Sequence, residues 1–415
     1  MADIHTILVG QSGGPTAAVN ASLAGVISAA RKAQIHILGI RYGIEGLLDG
    51  HEPIDLTETL PTKRDLELLA RTPSSYLGSC RYKLPDMYEN PSDYEQLFKY
   101  FDERQADGVL YLGGNDSMDT IDKLSAYGAQ HQLPQRFVGV PKTIDNDLME
   151  IDHTPGYGSA AKFVATCVSE IARDSSVYDL KSATVIEIMG RDAGWLAASA
   201  ALASAPELPC PDLILLPERP VTAEALCKRV RELLERKNTV VIASSEELHT
   251  PEGVPLSEAG AGSVTTDAFG HKASLSGTSR YLASAIQNKL HVKTRAVELS
   301  TLQRSASHCA SACDLKEAYK LGAAGVNAVL AGKTGVMTTL VRDSDLPYAT
   351  HLETVAVSKV ANKIRTMPDA LISEDGMNVT QAYLDYARPL ISGEVSQLTI
   401  DGIPAHIAAL DPLEA

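Results

Sequence analysis

Pro141-Lys142-Thr143-Ile144-Asp145-Asn146-Asp147 places one cation and two carboxylates in seven residues, directly after the apolar run Phe137-Val138-Gly139-Val140. A short apolar run that stops at a charged turn reads as a buried strand ending in a loop. Lysine ahead of two carboxylates packs poorly but suits phosphoryl transfer: the cation neutralises the moving group while a carboxylate accepts the proton of an attacking hydroxyl. The bland alternative is a charged surface loop with a helix cap at Asp145 or Asp147.

Two earlier turns have the same setting. Gly10-Gln11-Ser12-Gly13-Gly14 follows the strand-like Thr6-Ile7-Leu8-Val9 and precedes residues 16–32, whose small and apolar side chains recur at helical spacing. Gly113-Gly114-Asn115-Asp116-Ser117 follows the apolar run 108–112 and precedes a helix reaching Tyr127. The amides of Gly13 and Gly14 at a helix start suit an anion. An ordinary strand-to-helix turn fits that stretch as well, since it matches neither G-x-G-x-x-G nor the Walker pattern. Asn115 and Asp116 suit oxygen ligation of Mg2+ beside phosphate, and Asp116 equally suits a helix cap.

With a further short strand at 35–40 and a helix at about 93–105, the alternation predicts a parallel sheet with crossover connections. Its ligand site then lies outside the carboxyl ends of the strands, where all three turns fall. A second α/β unit follows: a helix near 159–173, a strand 182–188 ending at Met189-Gly190-Arg191, a helix-like 195–205, and buried-type strands 213–216 and 239–243, the last leading to Glu246. Arg191, Glu246 and Gln303-Arg304 at strand ends suit a sugar phosphate, Arg for the phosphate and Glu for hydroxyls. Each alone reads equally as a solvated or ion-paired residue. Residues 60–82 look irregular and deliver Gly78-Ser79-Cys80-Arg81 on a loop, and the tail from about 364 is less regular than the body.

A chain of 415 residues exceeds one ordinary core and suits two α/β domains. Charged residues at 21% and apolar ones at 44% are a globular balance, without an apolar run that spans a bilayer. The start lacks the pattern of an export signal, so the cytoplasm is expected. A net charge of -15 argues against a nucleic-acid binder, and a phosphorylated substrate would need locally concentrated cations. Six cysteines without a CxxC pair suit reduced thiols, and Cys309 and Cys313 beside His308 read as helix packing rather than a metal site.

Taken together, these residues resemble the phosphofructokinase family over nearly the whole chain, in order and spacing as well as identity. The matching series is Ser12-Gly13-Gly14, Gly78-Ser79-Cys80-Arg81, Gly113-Gly114-Asn115-Asp116-Ser117, Pro141 to Asp147, Met189-Gly190-Arg191, Glu246, Thr294-Arg295 and Gln303-Arg304. Two positions look like the pyrophosphate-dependent branch. ATP users of the family typically carry Gly where this chain has Asp116 and Gly where it has Lys142. Side chains there occupy room that a nucleotide needs, and Lys142 adds a charge suited to compact pyrophosphate. Residues 155–161 and Tyr386-Ala387-Arg388-Pro389-Leu390 are similar to a bacterial subgroup of such enzymes.

The resemblance implies two doubly wound α/β domains with mainly parallel sheets and an active site in the cleft between them. Residues 1–157 with about 304–350 would bind pyrophosphate and Mg2+; about 158–303 with 351–415 would bind fructose 6-phosphate. The implied activity is reversible, Mg2+-dependent phosphoryl transfer from pyrophosphate to the 1-hydroxyl of fructose 6-phosphate, in glycolysis and gluconeogenesis. Asp145 would be the base, with Arg81, Lys142 and Asp116 completing the catalytic set. Thr143, Ile144, Met189, Gly190, Arg191, Glu246, Thr301 and Arg304 would surround the sugar phosphate, Gly13, Gly14 and Lys142 the pyrophosphate, and Asn115, Asp116 and Asp147 the metal. Arg295 would reach a neighbouring subunit's sugar phosphate, which implies a homodimer or homotetramer.

Some positions depart from the family pattern. Asn115 stands where a metal-associated Asp is usual and Thr301 where relatives place His or Tyr. Ser305-Ala306 replaces a Gly pair, and Ser182 beside Lys181 replaces the second inter-subunit Arg. Two rivals share the motifs: an ATP-dependent enzyme of the family, and a catalytically silent regulatory subunit, against which the intact Lys142, Asp145, Asp147 and Arg81 argue. A nicotinamide-dependent dehydrogenase is disfavoured by the missing G-x-G-x-x-G fingerprint.

Overall fold

The computed structural model describes residues 4–256 and 277–410. Two sheets organise it. The first contains seven strands, β1 (Thr6–Gln11), β2 (His36–Ile40), β3 (Ile54–Asp55), β4 (Gly108–Gly113), β5 (Arg136–Pro141), β10 (Val336–Asp345) and β11 (Tyr348–Ala356), in the order β11-β10-β5-β4-β1-β2-β3. The second contains β6 (Ser182–Ile188), β7 (Leu213–Leu215), β8 (Thr239–Ser245) and β9 (Lys293–Glu298), in the order β7-β8-β6-β9. Within these two sheets every pairing is parallel except those of β3 and β11 at the two edges of the first. The expected α/β class with mainly parallel sheets is therefore what the chain forms.

The strands read as apolar runs because helices cover both faces: every residue of β1 and of β4 is buried. Behind β1 the helices Val19–Lys32 and Ala312–Leu330 cross with their backbones in contact. A Cβ on Gly25 would lie 2.0 Å from the Tyr319 carbonyl oxygen, and one on Gly322 would lie 1.9 Å from that of Ser22, so only glycine permits the crossing.

Strand order decides where the site forms. The chain leaves β1 for β2 on one side and returns to β4 on the other, which opens a crevice at the carboxyl ends of β1 and β4. In register, Gln11 lies opposite Leu112 and Gly113 opposite Pro141. Ladder bonds carry this alignment into the turns, Ser12 N–H to the Leu112 carbonyl at 3.0 Å and Lys142 N–H to the Gly113 carbonyl at 2.9 Å. The three turns thus leave adjacent strands side by side.

The structure departs from the expectations in three places. Residues 351–356 belong with the first sheet, because β11 folds back on β10 in an antiparallel hairpin. Residues 60–82 contain a helix, Lys63–Arg71, started by a capping box of Thr62 and Asp65. The helix-like 195–205 is one turn, Trp195–Ala198, followed by a 3-10 turn, Ser199–Ala203. The tail packs Met367, Ile372, Tyr383, Ala387 and Leu390 into the second core beside Trp195 and Tyr157. Among the described residues no helix is long and apolar enough to cross a membrane.

Candidate active site

The loop after β5 heads no helix. The next helix is Tyr157–Ser175, so Asp145 and Asp147 cap nothing. Asp116 caps nothing either, since Gly114 holds the cap position of helix Asn115–Gln130 and Asp116 sits inside its first turn. Both charged loops are thereby left for another task.

Gly13 adopts φ +77°, in the left-handed region, and is fastened to the 78–81 loop from both ends. Its N–H donates to the Cys80 carbonyl at 3.2 Å, and Ser79 Oγ donates to its carbonyl at 2.6 Å. This contact brings the Arg81 loop beside the first turn. Lys142, 3% exposed, reaches in from β5 and donates from Nζ to the Gly14 carbonyl at 2.6 Å. A Cβ on Gly13 would lie 3.3 Å from Lys142 Nζ, and one on Gly14 would lie 3.2 Å from Arg304 Nη1. The glycine turn is thus enclosed by cations from two distant parts of the chain.

Thr143 Oγ1 accepts from Asp145 N–H at 3.1 Å, which turns the loop so that Asp145 faces the cations. Ile144 sends its side chain into the second core, leaving only its backbone for the site. From the second sheet, Glu246 follows β8 and accepts from Gly190 N–H at 3.3 Å and Arg191 N–H at 3.4 Å, the amides of the loop after β6. That loop is supported by Gln303, buried, which accepts from Met189 N–H at 3.2 Å.

Burial sets the electrostatics. It pushes the Lys142 amine down to about 8, with Arg304 and Arg81 adding repulsion against the pull of Asp145 and Asp147. Asp145 is held above the ordinary carboxylate range by burial, opposed by Arg191, Lys142 and Arg304. Asp147 rises to about 7 through burial and the charge of Asp145, and Glu246 rises to about 7 for the same two reasons. Arg191, Lys142 and Arg304 act on Asp145 among these buried carboxylates, and a group of perturbed acids beside several cations marks a candidate site for phosphoryl chemistry.

Three expected residues have their bonds elsewhere. Arg295 stands in β9 three residues before its end and pairs with Asp174 at 2.9 Å, away from the strand ends. Thr301 is exposed, and its carbonyl accepts from Ser305 Oγ at 2.9 Å. The side-chain carbonyl of Asn115 accepts from Asn362 N–H at 2.6 Å, and its amide donates to the Lys363 carbonyl, so both ends hold the 362–363 loop.

A family model described as phosphofructokinase matches residues 6–329. The chain belongs to the phosphofructokinase family. A pyrophosphate–fructose 6-phosphate 1-phosphotransferase of Xanthomonas campestris pv. campestris is 39% identical over 405 residues, covering 97% of this chain and 95% of that protein. Two solved structures of pyrophosphate-dependent phosphofructokinases are similar. The one from Marinobacter aquaeolei has a TM-score of 0.86 at 35% identity, and the one from Nitrosospira multiformis 0.87 at 34%; each match covers 99% of this chain and 98% of the other.

Motif reading passed over Arg365 of this phosphofructokinase, and it quoted Asn146 and Tyr386 within motifs without giving either a role. Arg365 and Tyr386 come from the irregular tail, and Asn146, buried at φ +57°, sits between the two aspartates and donates to Tyr386 Oη at 2.9 Å. The signal available for the latter two was compositional: an Asn between two Asp in a loop, and an aromatic residue in a tail otherwise poor in them.

Proposed function

We propose that this phosphofructokinase transfers the terminal phosphoryl group of pyrophosphate to the 1-hydroxyl of fructose 6-phosphate, reversibly, giving fructose 1,6-bisphosphate and phosphate. The observation that carries the donor assignment is the placing of the Lys142 amine against the Gly13-Gly14 turn, where a compact, highly charged diphosphate gains a cation and a nucleotide loses room. The seven-stranded unit takes the donor and the four-stranded unit the sugar phosphate.

Asp145 accepts the proton of the 1-hydroxyl as its oxygen forms a bond to the terminal phosphorus and the bond from that phosphorus to the departing phosphate breaks. Lys142 and Arg81 neutralise charge on the group in flight. Arg191 and Arg304 grip the sugar's phosphate, while Glu246 accepts from its hydroxyls and Thr143 and Met189 border it.

A metal fits here in a particular way. No three acidic, His or Cys side chains converge as a cage among the described residues. Mg2+ ordinarily takes one or two carboxylates and completes its shell with phosphate oxygens and water, which Asp116 and Asp147 beside a diphosphate satisfy. With its amide committed to the 362–363 loop, Asn115 supports this site indirectly. When bound, the ion supplies charge neutralisation for the phosphates.

Self-association belongs to the same reading. Arg295 lies beside exposed Tyr178 and Leu180, an edge suited to a second copy whose sugar phosphate it would reach. The six free thiols suit a reducing, cytoplasmic setting.

Assaying the purified protein with pyrophosphate and with ATP tests the donor. Turnover is expected with pyrophosphate, and comparable or better turnover with ATP overturns the assignment.

A further inference from the structure

The segment 365–367 joins the two halves of the site. Arg365 spends its guanidinium on the catalytic loop: Nη2 donates to the Asn146 carbonyl at 2.8 Å and to its Oδ1 at 2.7 Å, and Nε donates to the same carbonyl at 3.2 Å. Nη1 donates to the carbonyls of Ile151 at 2.5 Å and Asp152 at 2.8 Å, and the Arg365 N–H donates to the Asp147 carbonyl at 2.7 Å. The guanidinium also lies over Trp195, 4.8 Å from the ring centroid, and the indole N–H donates back to the Arg365 carbonyl at 3.0 Å. Trp195 begins the helical turn that follows the Met189–Arg191 loop. Two residues further on, Met367 N–H and Gly194 N–H donate to one oxygen of Glu218, at 2.8 and 2.9 Å.

Asn146 needs such support. It holds a left-handed conformation between two carboxylates that repel each other, and its own side chain is used in accepting from Thr154 N–H at 3.0 Å. A planar fork of donors grips three backbone carbonyls and an amide oxygen at once, which a lysine's single ammonium does not.

We infer that Arg365 is a positioning residue: it fixes the backbone of Asp145-Asn146-Asp147 and ties it to Trp195, so that the general base keeps one spacing to the sugar-phosphate loop. This rests on the phosphotransferase reading above. Displacing a base by about 1 Å costs roughly 100-fold in rate, so a small shift of this loop is enough to be measured.

The experiment uses the full-length protein, pyrophosphate and fructose 6-phosphate, with R365K, R365M and W195F made in the wild-type and D145N backgrounds. An inactive wild type overturns the reaction assignment, and this inference with it. With an active wild type, R365K and R365M should each lower kcat roughly 100-fold while both KM values stay within about threefold, and W195F should lower kcat about tenfold in the same pattern. In D145N there is no base left to aim, so R365K, or W195F if the arginine variants do not fold, should cost less than about threefold more. Equal losses in both backgrounds, or an unchanged kcat in the wild-type background, overturn the role of Arg365 while leaving the reaction assignment intact.

Discussion

Lys142 Nζ donates to the Gly14 carbonyl at 2.6 Å, closing a gap of 128 residues between the loop after β5 and the turn after β1. The contact sets a cation at the mouth of the glycine turn and nearly out of solvent. Its protonation state therefore bears on donor binding and on stability.

Since burial brings the Lys142 amine down to about 8, the cation is present below that pH and lost above it. The KM for pyrophosphate should rise as pH passes 8, approaching tenfold per pH unit, and K142M should have a high KM with no such step. Initial rates between pH 6.5 and 9.5 check this, and a flat wild-type profile contradicts it. The sign for stability is opposite. Between about 8 and the ordinary 10.5 the unfolded chain holds the proton and the folded one does not, so stability rises with pH across that window. At pH 7 K142M should therefore be the more stable protein by up to about 3 kcal/mol, measured by urea denaturation.

Replacing Asp145 by Asn retains the shape and removes the base. A drop in kcat of about 10²–10⁴ is expected with the fructose 6-phosphate KM within a few-fold of wild type. Circular dichroism matching the wild type would confirm the fold, and retained kcat would dismiss Asp145 as the base.

The two glycines should separate donor from acceptor. G13A puts a Cβ at φ +77° and 3.3 Å from Lys142 Nζ, so about 1–2 kcal/mol of backbone strain and a raised pyrophosphate KM are expected. G14A instead presses on Arg304 Nη1 at 3.2 Å and should raise the fructose 6-phosphate KM. Steady-state kinetics with each substrate varied would expose any reversal of this pattern.

Glu246 accepts most strongly from sugar hydroxyls when ionised, and burial with the nearby charge of Asp145 lifts it to about 7. The fructose 6-phosphate KM should increase as pH falls below 7, and E246Q should have a raised KM without that dependence. Equal pH profiles for the two proteins would exclude Glu246 as the acceptor.

Just past the catalytic loop, His153 is buried between Asp152 at 2.7 Å and Glu317 at 2.8 Å. Burial disfavours its charge, but the bonds to those two carboxylates outweigh that and lift it to about 9 from 6.5. Its contribution to stability is complete below pH 6.5 and is lost as pH rises through 9. H153A removes the cation between Asp152, which keeps Arg342, and Glu317, which keeps Tyr348 and Thr350, and should cost about 1–3 kcal/mol at pH 6, and its urea midpoint should fall less than the wild type's from pH 6 to 9.5. An unchanged difference between the two proteins across that range would refute the linkage.

Much of this was legible in the chain. The strands β1, β4, β5, β6, β7 and β8 are apolar runs that stop within a few residues at a Gly, a Pro or a charged residue, and that pattern is local. Gly13, Lys142, Asp145, Asp116 and Glu246 are visible for the same reason, as residue types that packing alone does not ask for at strand ends. The hairpin of β10 and β11 was not legible: no residue of β11 is buried, and no turn signal stronger than Leu346-Pro347 separates the two strands. The helix Lys63–Arg71 was missed although the Thr62 and Asp65 capping pair and the helical spacing of Leu66, Leu69 and Ala70 mark it.

By itself, then, the sequence determined the α/β alternation, the charged turns and their order, because periodicity and turn chemistry act over a few residues. Only the tertiary structure decided which turns meet. The strand order puts β1 between β2 and β4, so the turns at Gly13, Gly114 and Lys142 leave neighbouring strands. It also decided that Asn115 holds the 362–363 loop, that Arg295 stands apart, and that Arg365 from an irregular tail grips Asn146. Hydrogen bonds across 219 to 247 residues leave no local pattern, since their partners are chosen by how the sheets and the tail pack.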